Sequence, residues 1–155
     1  MFAIRTTFED DELPALYEIE KECFTEEFRW SERVMKRALL SARDADPQKN
    51  PRNYVWIATI SGRLAGYLLA GTEDGEVTIE TVNIPKRARR KGVASRLIAA
   101  CEKDMAKRGF KEITLEVSTD NPAQVLYFNL GYRVIGFLRH YYKHGFHALT
   151  MSKKL

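Results

Sequence analysis

The chain has 155 residues, 45% of them hydrophobic and 11% aromatic, a composition that is typical of a folded globular domain and excludes a disordered chain. We therefore predict one domain over residues 1–155. Lys and Arg outnumber Asp and Glu by 25 to 21, a net charge of +4, and five of the cations fall within residues 86–91, so the excess charge is local. No apolar run approaches a membrane span and the opening residues lack a secretion signal, which predicts a cytoplasmic protein that makes no membrane contact.

The first third of the chain predicts a short strand followed by two helices. Polar and apolar residues alternate over residues 2–7, and residues 11–24 carry apolar side chains at helical spacing. Ser31 is a suitable N-cap for the second helix, and residues 41–53 then form a polar loop with two prolines. The apolar face of the second helix is predicted to consist of Val34, Met35, Ala38 and Leu39.

Three strands follow the polar loop, and they are predicted over residues 53–60, 63–71 and 76–84. The residues between them, Ser61-Gly62 and Asp74-Gly75, are typical of tight hairpin turns. Because hairpins join antiparallel neighbours, these three strands should form an antiparallel part of a sheet.

The segment "ARRKGVASRLIAACEKDMAKRGF", residues 88–110, predicts an amphipathic helix after the third of these strands. The buried face of this helix is predicted to consist of Val93, Leu97, Ile98, Cys101 and Met105. Gly109 is suited to end the helix, because glycine readily adopts the left-handed conformation that closes many helices.

Three cations, Arg89, Arg90 and Lys91, stand at the start of this helix, where the backbone already provides positive potential. The cluster is unfavourable there unless an anion offsets it. Gly92 and Ala94 would let backbone amides approach a phosphate closely, and ligands of open sheets bind at the carboxyl ends of strands. The pattern indicates a nucleotide-like cofactor, and a solvated run of cations before an ordinary helix is the alternative.

The last third of the chain predicts a strand over 111–117, a short helix over 121–130 and closing strands over 132–138 and 146–151. Asn121 is a suitable cap for the short helix, and Pro122 suits its first turn. The complete order is β-α-α-β-β-β-α-β-α-β-β. This order predicts an α/β domain in which helices cover both faces of a mixed sheet.

The segment "RRKGVA" at 89–94 resembles the acyl-CoA signature R/Q-x-x-G-x-G/A of the GCN5-related N-acetyltransferase (GNAT) superfamily, and "NPAQVLYFNLGY" at 121–132 resembles its second signature. Further segments resemble the RimI branch, the protein N-terminal acetyltransferases: "CF" and "WS" within 23–31, "LEV" at 115–117, and "YY" and "ALTM" within 141–151. The resemblance covers nearly the whole chain. It implies the GNAT fold, with a mostly antiparallel sheet of about seven strands, and acetyl-CoA as cosubstrate.

The resemblance also implies how acetyl-CoA is held. Backbone amides from Arg90 to Ser95 should hold its pyrophosphate, while the strand at 81–83 pairs with its pantetheine arm. The cofactor-binding residues predicted in this way are Thr81, Val82, Asn83, Arg89, Arg90, Lys91, Gly92, Val93, Ala94, Ser95, Asn121 and Tyr127.

The chain departs from the family pattern at two places. It has one residue more than the pattern between Pro85 and Arg89, and one fewer between Asn121 and Ala123. Either Asp120 or Asn121 therefore fills the family's asparagine position. Asn121 is favoured, and a role as helix cap is compatible with that position.

Acetyl transfer requires an amine to lose a proton and a thiolate to leave. By the resemblance, Tyr127 donates to the departing sulfur, and a core aromatic with a packing role is the alternative. Glu116 in "LEV" matches the glutamate that the RimI branch places near the incoming amine. Glu80 on the preceding strand is a rival base, either glutamate could instead face solvent, and ordered water could take the proton without any single base.

Three histidines, His140, His144 and His147, are spaced four and three residues apart, as metal ligands on one helical face would be. Because "HYYKHGFHALTM" predicts a hairpin, these histidines should not converge, and no metal is predicted. In the RimI-like interpretation this hairpin is one wall of a peptide groove. The predicted substrate-binding residues are Tyr141, Tyr142 and Glu80.

These observations predict an acetyl-CoA-dependent N-acetyltransferase whose favoured acceptor is the α-amine of a protein or peptide N-terminus. A small-molecule amine or a lysine side chain is the alternative acceptor, since a fold does not determine the substrate. A nucleic-acid-binding domain is a remote alternative; residues 86–91 lack interleaved aromatic residues, so no nucleic-acid partner is predicted. Cys23 and Cys101 are predicted to be buried reduced thiols. The sequence leaves open whether the protein is a monomer or a homodimer.

Overall fold

The computed structural model describes residues 1–46, 48–49 and 51–155. The described residues form seven β-strands and four α-helices in the predicted order. Their bounds are β1 Phe2–Arg5, α1 Leu13–Cys23, α2 Glu32–Arg43, β2 Asn53–Ile60, β3 Arg63–Glu73, β4 Glu76–Asn83, α3 Val93–Lys107, β5 Glu112–Ser118, α4 Gln124–Asn129, β6 Arg133–Leu138 and β7 Ala148–Lys154. Within the predicted polar loop, Pro47 and Asn50 lie outside the described residues.

The seven strands form one sheet in the order β1-β2-β3-β4-β5-β7-β6. The pair β4–β5 is parallel and every other neighbouring pair is antiparallel. Both predicted hairpin turns are confirmed, because Ser61-Gly62 and Asp74-Gly75 have positive φ at both residues, as a type I′ turn requires. The predicted mixed, mostly antiparallel sheet of seven strands is therefore confirmed.

Helices cover both faces of the sheet, as predicted. Along β2, Val55 and Ile57 pack in one apolar cluster with residues of α1 and α2, whereas Trp56 and Ala58 pack in a second cluster with residues of α3. This division follows from the alternation of side chains along a strand. The indole N–H of Trp56 also donates to Asp104 of α3 at 2.7 Å, which joins that helix to the sheet.

Helix α2 begins as predicted, with the Ser31 hydroxyl accepting the amide N–H of Val34 at 3.3 Å. Met35, Ala38 and Leu39 are buried against the sheet. The prediction that Val34 belongs to this buried face is wrong, because its side chain is 52% exposed. The neighbouring Met35 in the same turn is buried, so Val34 is exposed because it lies on a different side of the helix.

Helix α3 has the predicted face and the predicted end. All five of its expected apolar residues are buried. Gly109 has φ +94°, its amide donates to the carbonyl of Ala106, and the amide of Phe110 donates to the carbonyl of Met105. This pair of bonds is the Schellman motif that closes many helices.

Helix α4 begins later than predicted, at Gln124 instead of Asn121. Asn121 caps the turn that precedes the helix, since its Oδ1 accepts the amide N–H of Ala123 at 2.9 Å. The amides of Gln124 and Val125 donate to carbonyls three residues back, so this turn is tighter than an α-helix. The prediction that Pro122 lies in the first turn of the α-helix is therefore wrong by two residues.

The connection between β6 and β7 corrects the expectation about the histidines. The amide of His140 donates to Nδ1 of His147 at 2.9 Å, and their rings lie 4.9 Å apart. These two histidines converge because the chain turns back through a short 3₁₀ turn at Lys143–Gly145. Among the described residues, no group of three or more metal-binding side chains is present.

The two cysteines carry free thiols. Cys101 is buried as predicted, whereas Cys23 is half-buried at the end of α1, so the prediction of burial holds for Cys101 alone. No helix among the described residues is both long enough and apolar enough to cross a membrane.

Candidate active site

The sheet splits between its two parallel strands. β4 and β5 pair over three positions only, the last of which joins Ile79 to Leu115. Beyond that point β4 stays paired with β3 as far as Asn83, and β5 stays paired with β7 as far as Ser118. The facing edges of both strands are therefore unpaired at their carboxyl ends, where ligands of such sheets bind.

Glu80 lies where the split begins. It is the extra residue of a β-bulge, since Ile79 pairs with Ala70 and Thr81 pairs with Leu69, which leaves Glu80 without a partner on β3. Bulges redirect the side chain of the extra residue. The Glu80 carboxylate lies over Gly71, where any Cβ would overlap it. The glycine thus provides the room that this carboxylate occupies.

A cavity of about 1020 Å³ occupies the split. Its walls come from the carboxyl ends of β4 and β5, the start of α4, the connection between β6 and β7, and the loop between α1 and α2. We call residues 24–30, which lie between α1 and α2, the acceptor loop. Of the predicted site residues, the cavity is lined by Glu80, Thr81, Val82, Glu116, Asn121, Tyr127, Tyr141 and Tyr142.

The residues predicted to hold the pyrophosphate lie at the start of α3, outside the walls of the cavity. Gly92 has φ +73° and is the first residue before the helix, and no side chain caps the helix. The amides of Val93, Ala94 and Ser95 come before the first intrahelical donor and lack intrahelical acceptors for this reason. The structure therefore offers a set of free N–H groups and the positive end of a 15-residue helix dipole.

The three predicted cations do not have the same surroundings. Arg89 Nε donates to the carbonyl of Ile84 at 2.9 Å, and its Nη2 lies 3.8 Å from the sulfur of Cys23. Arg90 and Lys91 are exposed, and neither forms an ion pair among the described residues. Arg90 and Lys91 are thus available to an anion at the helix start.

The strand predicted to pair with the pantetheine arm has a free edge along the cavity. The Thr81 hydroxyl is buried and has no hydrogen-bond partner among the described residues. The Asn83 side chain is completely buried and does not line the cavity; its Nδ2 donates to Glu20 at 2.7 Å, and its Oδ1 has no partner among the described residues. A ligand could therefore meet the backbone of this strand and the Thr81 hydroxyl, but not the Asn83 amide group.

Tyr127 projects from α4 to the cavity wall and packs edge-on against Tyr132, with ring centroids 5.9 Å apart. Its hydroxyl makes no hydrogen bond among the described residues. Burial raises the pKa of Tyr127 to about 12. The hydroxyl is therefore protonated at neutral pH and can donate to a ligand.

Glu80 and Glu116 both border the cavity, on the two strands that separate. Desolvation raises the pKa of Glu80, and the negative charge of Glu116 raises it further. Desolvation also raises the pKa of Glu116. The repulsion between these carboxylates makes the site favourable for a cation, such as a protonated amine.

Aromatic side chains line the cavity where the acceptor loop meets the connection between β6 and β7. Phe28 of the acceptor loop lies 5.0 Å from the ring of Tyr142 and 4.9 Å from that of Phe146. Tyr141 packs edge-on against Tyr142 and is 51% exposed. The two connections thus contact each other at the wall of the cavity that Glu80 and Glu116 also line.

Glu20 also borders the cavity, is 1% exposed, and was not among the residues predicted from the sequence. Burial raises the pKa of Glu20, although three hydrogen-bond donors oppose this effect. A signal for it exists in the sequence, because Glu20 stands four residues after Leu16 and three before Cys23, on the apolar face of α1. Phe28 was not predicted either, and the spacing of apolar residues around it gives no signal for a site residue.

Comparison with known proteins identifies the class. The model of the acetyltransferase (GNAT) family matches residues 13–132, which is more than half of the chain. The chain belongs to the GNAT family, and it is an N-acetyltransferase with the GNAT fold.

Individual relatives differ in their acceptors. The N-alpha-acetyltransferase RimI of Mycobacterium tuberculosis is 30% identical over 142 residues, which cover 88% of this chain and 82% of that protein. A mycothiol acetyltransferase of Clavibacter michiganensis is 36% identical over 101 residues, but the match covers 64% of this chain and 33% of that protein. The crystal structure of the ribosomal-protein-S18-alanine N-acetyltransferase of Escherichia coli has a TM-score of 0.80 and 25% identity, and the match covers 99% of this chain and 94% of that one.

Enzymes of this family use acetyl-CoA. Three features of this chain fit that molecule: the free edge of β4, the unpaired hydroxyl of Thr81 and the uncapped start of α3. The first two suit an amide-containing chain and the third suits phosphates. When bound, acetyl-CoA supplies the acetyl group as a thioester that an amine can attack.

We predict opposite effects on stability and cofactor binding when Ser95 is replaced by Asp. A carboxylate in the first turn of α3 interacts favourably with the helix dipole, by about 0.3–1 kcal/mol. The same charge should repel phosphate and weaken CoA binding about tenfold or more. Thermal melting with and without CoA, together with calorimetric titration, measures both effects. Ser95→Asn is the matched neutral control, and equal CoA affinity in the two variants would contradict a phosphate site at this helix.

Removing the Tyr127 hydroxyl should affect turnover and leave cofactor binding intact. Tyr127→Phe is expected to lower kcat about 10- to 1000-fold, the range for the loss of one acid or hydrogen bond. The CoA-induced rise in Tm should stay unchanged, because the ring still packs against its neighbours. Tyr17→Phe, on α1 and outside the cavity, is the control. Unchanged turnover would remove Tyr127 from the mechanism.

Proposed function

We propose that this protein transfers the acetyl group of acetyl-CoA to the α-amine of a protein or peptide N-terminus, as an enzyme of the RimI type. The observation that carries the proposal is that Glu116 of β5 and Tyr127 of α4 line one cavity, at the split of the sheet. One residue can receive a proton and the other can donate one. The named activity of the relative from Mycobacterium tuberculosis supports the peptide acceptor.

Glu116 is the proposed base. Its carboxylate has no hydrogen-bond partner among the described residues and is open to the cavity from β5. Desolvation raises its pKa, which makes the carboxylate a better proton acceptor than an ordinary glutamate. A peptide α-amine titrates near 8, so a modest base, directly or through water, suffices to free it at neutral pH.

Glu80 is proposed to assist by its charge. It holds a second negative charge beside the first, and this charge attracts the acceptor in its ammonium form. The bulge keeps Glu80 on the acceptor side of β4. The bound ammonium offsets the repulsion between the two carboxylates. When the ammonium gives its proton to Glu116, the Glu80 carboxylate remains charged and keeps the amine in place.

Tyr127 is the proposed acid. Its hydroxyl stays protonated at neutral pH and has no competing partner among the described residues. It can therefore donate to the sulfur that leaves when the new amide forms. Asn121 already uses its side-chain oxygen to cap the turn before α4 and so serves to place this helix.

Tyr141 and Tyr142 are proposed to bind the peptide backbone. Both line the cavity beside the carboxylates, and Tyr141 is exposed and ready to bond an incoming chain. The α-amine lies directly on a backbone that these tyrosines can orient. A lysine would instead have to extend its four-carbon stem between Phe28 and the carboxylates.

A small-molecule amine is the second candidate acceptor. The relative from Clavibacter michiganensis, a mycothiol acetyltransferase, supports it at 36% identity over 101 residues. The match covers only a third of that longer protein. A small amine would be enclosed by the acceptor loop and the aromatic side chains, whereas a peptide would extend out of the cavity past them.

The acceptor assignment predicts the product of an acetylation panel. Peptides with free N-termini, N-terminally blocked peptides that contain lysine, and polyamines are incubated with acetyl-CoA, and mass spectrometry locates the acetyl group. We expect acetylation of the α-amine and at least tenfold lower kcat/KM for the lysine peptides, because lysine titrates near 10.4. Acetyl groups on lysine with unmodified N-termini would contradict the proposal, and turnover of small amines alone would support the second candidate.

The role of Glu116 predicts a pH-dependent loss of activity. Glu116→Gln should slow the reaction most below about pH 8, where the α-amine needs a base, and least at higher pH, where the amine is already free. Below the raised pKa of Glu116, the carboxylate is protonated in the unmodified enzyme too, so the difference in rate between that enzyme and the variant becomes smaller again. Glu112→Gln, at the other end of β5, is the control. A uniform loss across pH, or a larger effect from Glu80→Gln, would reassign the base.

A further inference from the structure

A buried carboxylate connects the acceptor loop to the cofactor strand. Glu20 lies on the last turns of α1 and is 1% exposed. Its Oε1 accepts the amide N–H of Trp30 at 3.1 Å, at the far end of the acceptor loop. Its Oε2 accepts Nδ2 of Asn83 at 2.7 Å and the hydroxyl of Tyr67 at 3.2 Å. One side chain therefore joins the loop to β3 and β4.

The end of α1 is held to the start of the cofactor region by further contacts. The thiol of Cys23 donates to the carbonyl of Ile84 at 3.3 Å, and Glu22 accepts the amide N–H of Lys86. These bonds attach α1 to the connection that leads from β4 into α3. The position of Glu20 is thus set by the same backbone that carries the cofactor signature.

The acceptor loop has few attachments of its own. Its backbone bonds among the described residues are local: Phe24 donates to the carbonyl of Glu20 at the end of α1, and Phe28 and Arg29 donate to the carbonyl of Thr25. At its far end the loop is fastened by the bond from Trp30 to Glu20 and by the packing of the Trp30 side chain against the apolar cluster of α1 and α2. In its middle, Phe28 contacts the aromatic rings of Tyr142 and Phe146 across the cavity. Loss of the Glu20 bond should free the loop without removing any cavity wall.

We propose that Glu20 is a positioning residue, which sets the acceptor loop at a fixed distance from the cofactor strand and so determines the affinity for the acceptor. The inference rests on the proposed function in one respect, that the acceptor binds beside this loop. It does not depend on whether that acceptor is a peptide or a small amine.

The chemistry of the three donors explains why a carboxylate is needed. Both oxygens of Glu20 accept hydrogen bonds, from an amide N–H on one side and from an amide NH₂ and a hydroxyl on the other. Glutamine has one acceptor oxygen and one NH₂ group. A glutamine at this position can satisfy either the loop or β4, and its NH₂ would face a donor on the other side.

The test is the pair of variants Glu20→Gln and Tyr67→Phe. Glu20→Gln replaces the carboxylate itself. Tyr67→Phe removes only the hydrogen bond from the Tyr67 hydroxyl to Glu20 and leaves the bond from Trp30 in place. We expect Glu20→Gln to raise the KM for the acceptor about tenfold, with the Kd for CoA within about twofold of the unmodified enzyme. Tyr67→Phe should lower the Tm with little change in either constant. Glu18→Gln, exposed on the same helix, is the control for the loss of charge.

Amide hydrogen exchange measures the loop directly. The amide of Trp30 should exchange slowly in the unmodified protein and much faster in Glu20→Gln, whereas that of Arg96 in α3 should not change. If Glu20→Gln fails to fold, slow exchange at Trp30 of the unmodified protein supports the anchor and rapid exchange overturns it.

Two outcomes overturn the proposal: equal KM increases in both variants, which indicates a general structural role, or an unchanged KM in Glu20→Gln. Failure of the proposed function is separate. If the unmodified enzyme acetylates only small amines, the peptide assignment fails, and the same KM comparison is made with that amine.

Discussion

The candidate active site exists because the parallel strands β4 and β5 stop pairing before either strand ends. β4 and β5 share only three paired positions, because the bulge at Glu80 turns β4 away while β5 continues along β7. A sheet that opens in this way leaves backbone groups without partners inside the protein, which is unfavourable unless something else bonds them. The opening therefore both creates the cavity and provides groups that a long amide-containing ligand can pair.

Charges of opposite sign lie at the start of α3 and inside the cavity. The uncapped start of α3, with Arg90 and Lys91, provides positive potential where phosphates are proposed to bind. The carboxylates of Glu80 and Glu116 provide negative potential where the amine is proposed to arrive. Under the proposed function each charged region attracts a different substrate, and the tyrosine of α4 lines the cavity with the two carboxylates.

The proposed acceptor side is enclosed by two connections between elements, the acceptor loop and the connection between β6 and β7. Phe28 contacts the aromatic residues of the opposite connection, and the carboxylate of Glu20 accepts the amide N–H of Trp30 at the end of the loop. Connections can change between relatives while the sheet and α3 stay the same. This division is consistent with relatives that share the fold but are named for different acceptors.

The sequence by itself determined the order of the elements, the hairpin turns, the buried face of α3 and the cofactor signature. These features depend on neighbours in the chain, since helical spacing and turn residues act over a few positions. The start of α4 was predicted two or three residues too early, because the turn at Asn121 uses the same residues as a helix start.

Tyr127, Glu116 and Glu80 were found by resemblance, but nothing in their spacing indicated that they share one cavity. Only the tertiary structure decided this, together with the bulge at Glu80, the meeting of His140 with His147, and the bonds of Glu20 to Trp30 and Asn83. Each of these joins residues far apart in the chain or depends on strand register, and such pairings are set by the packing of the whole sheet.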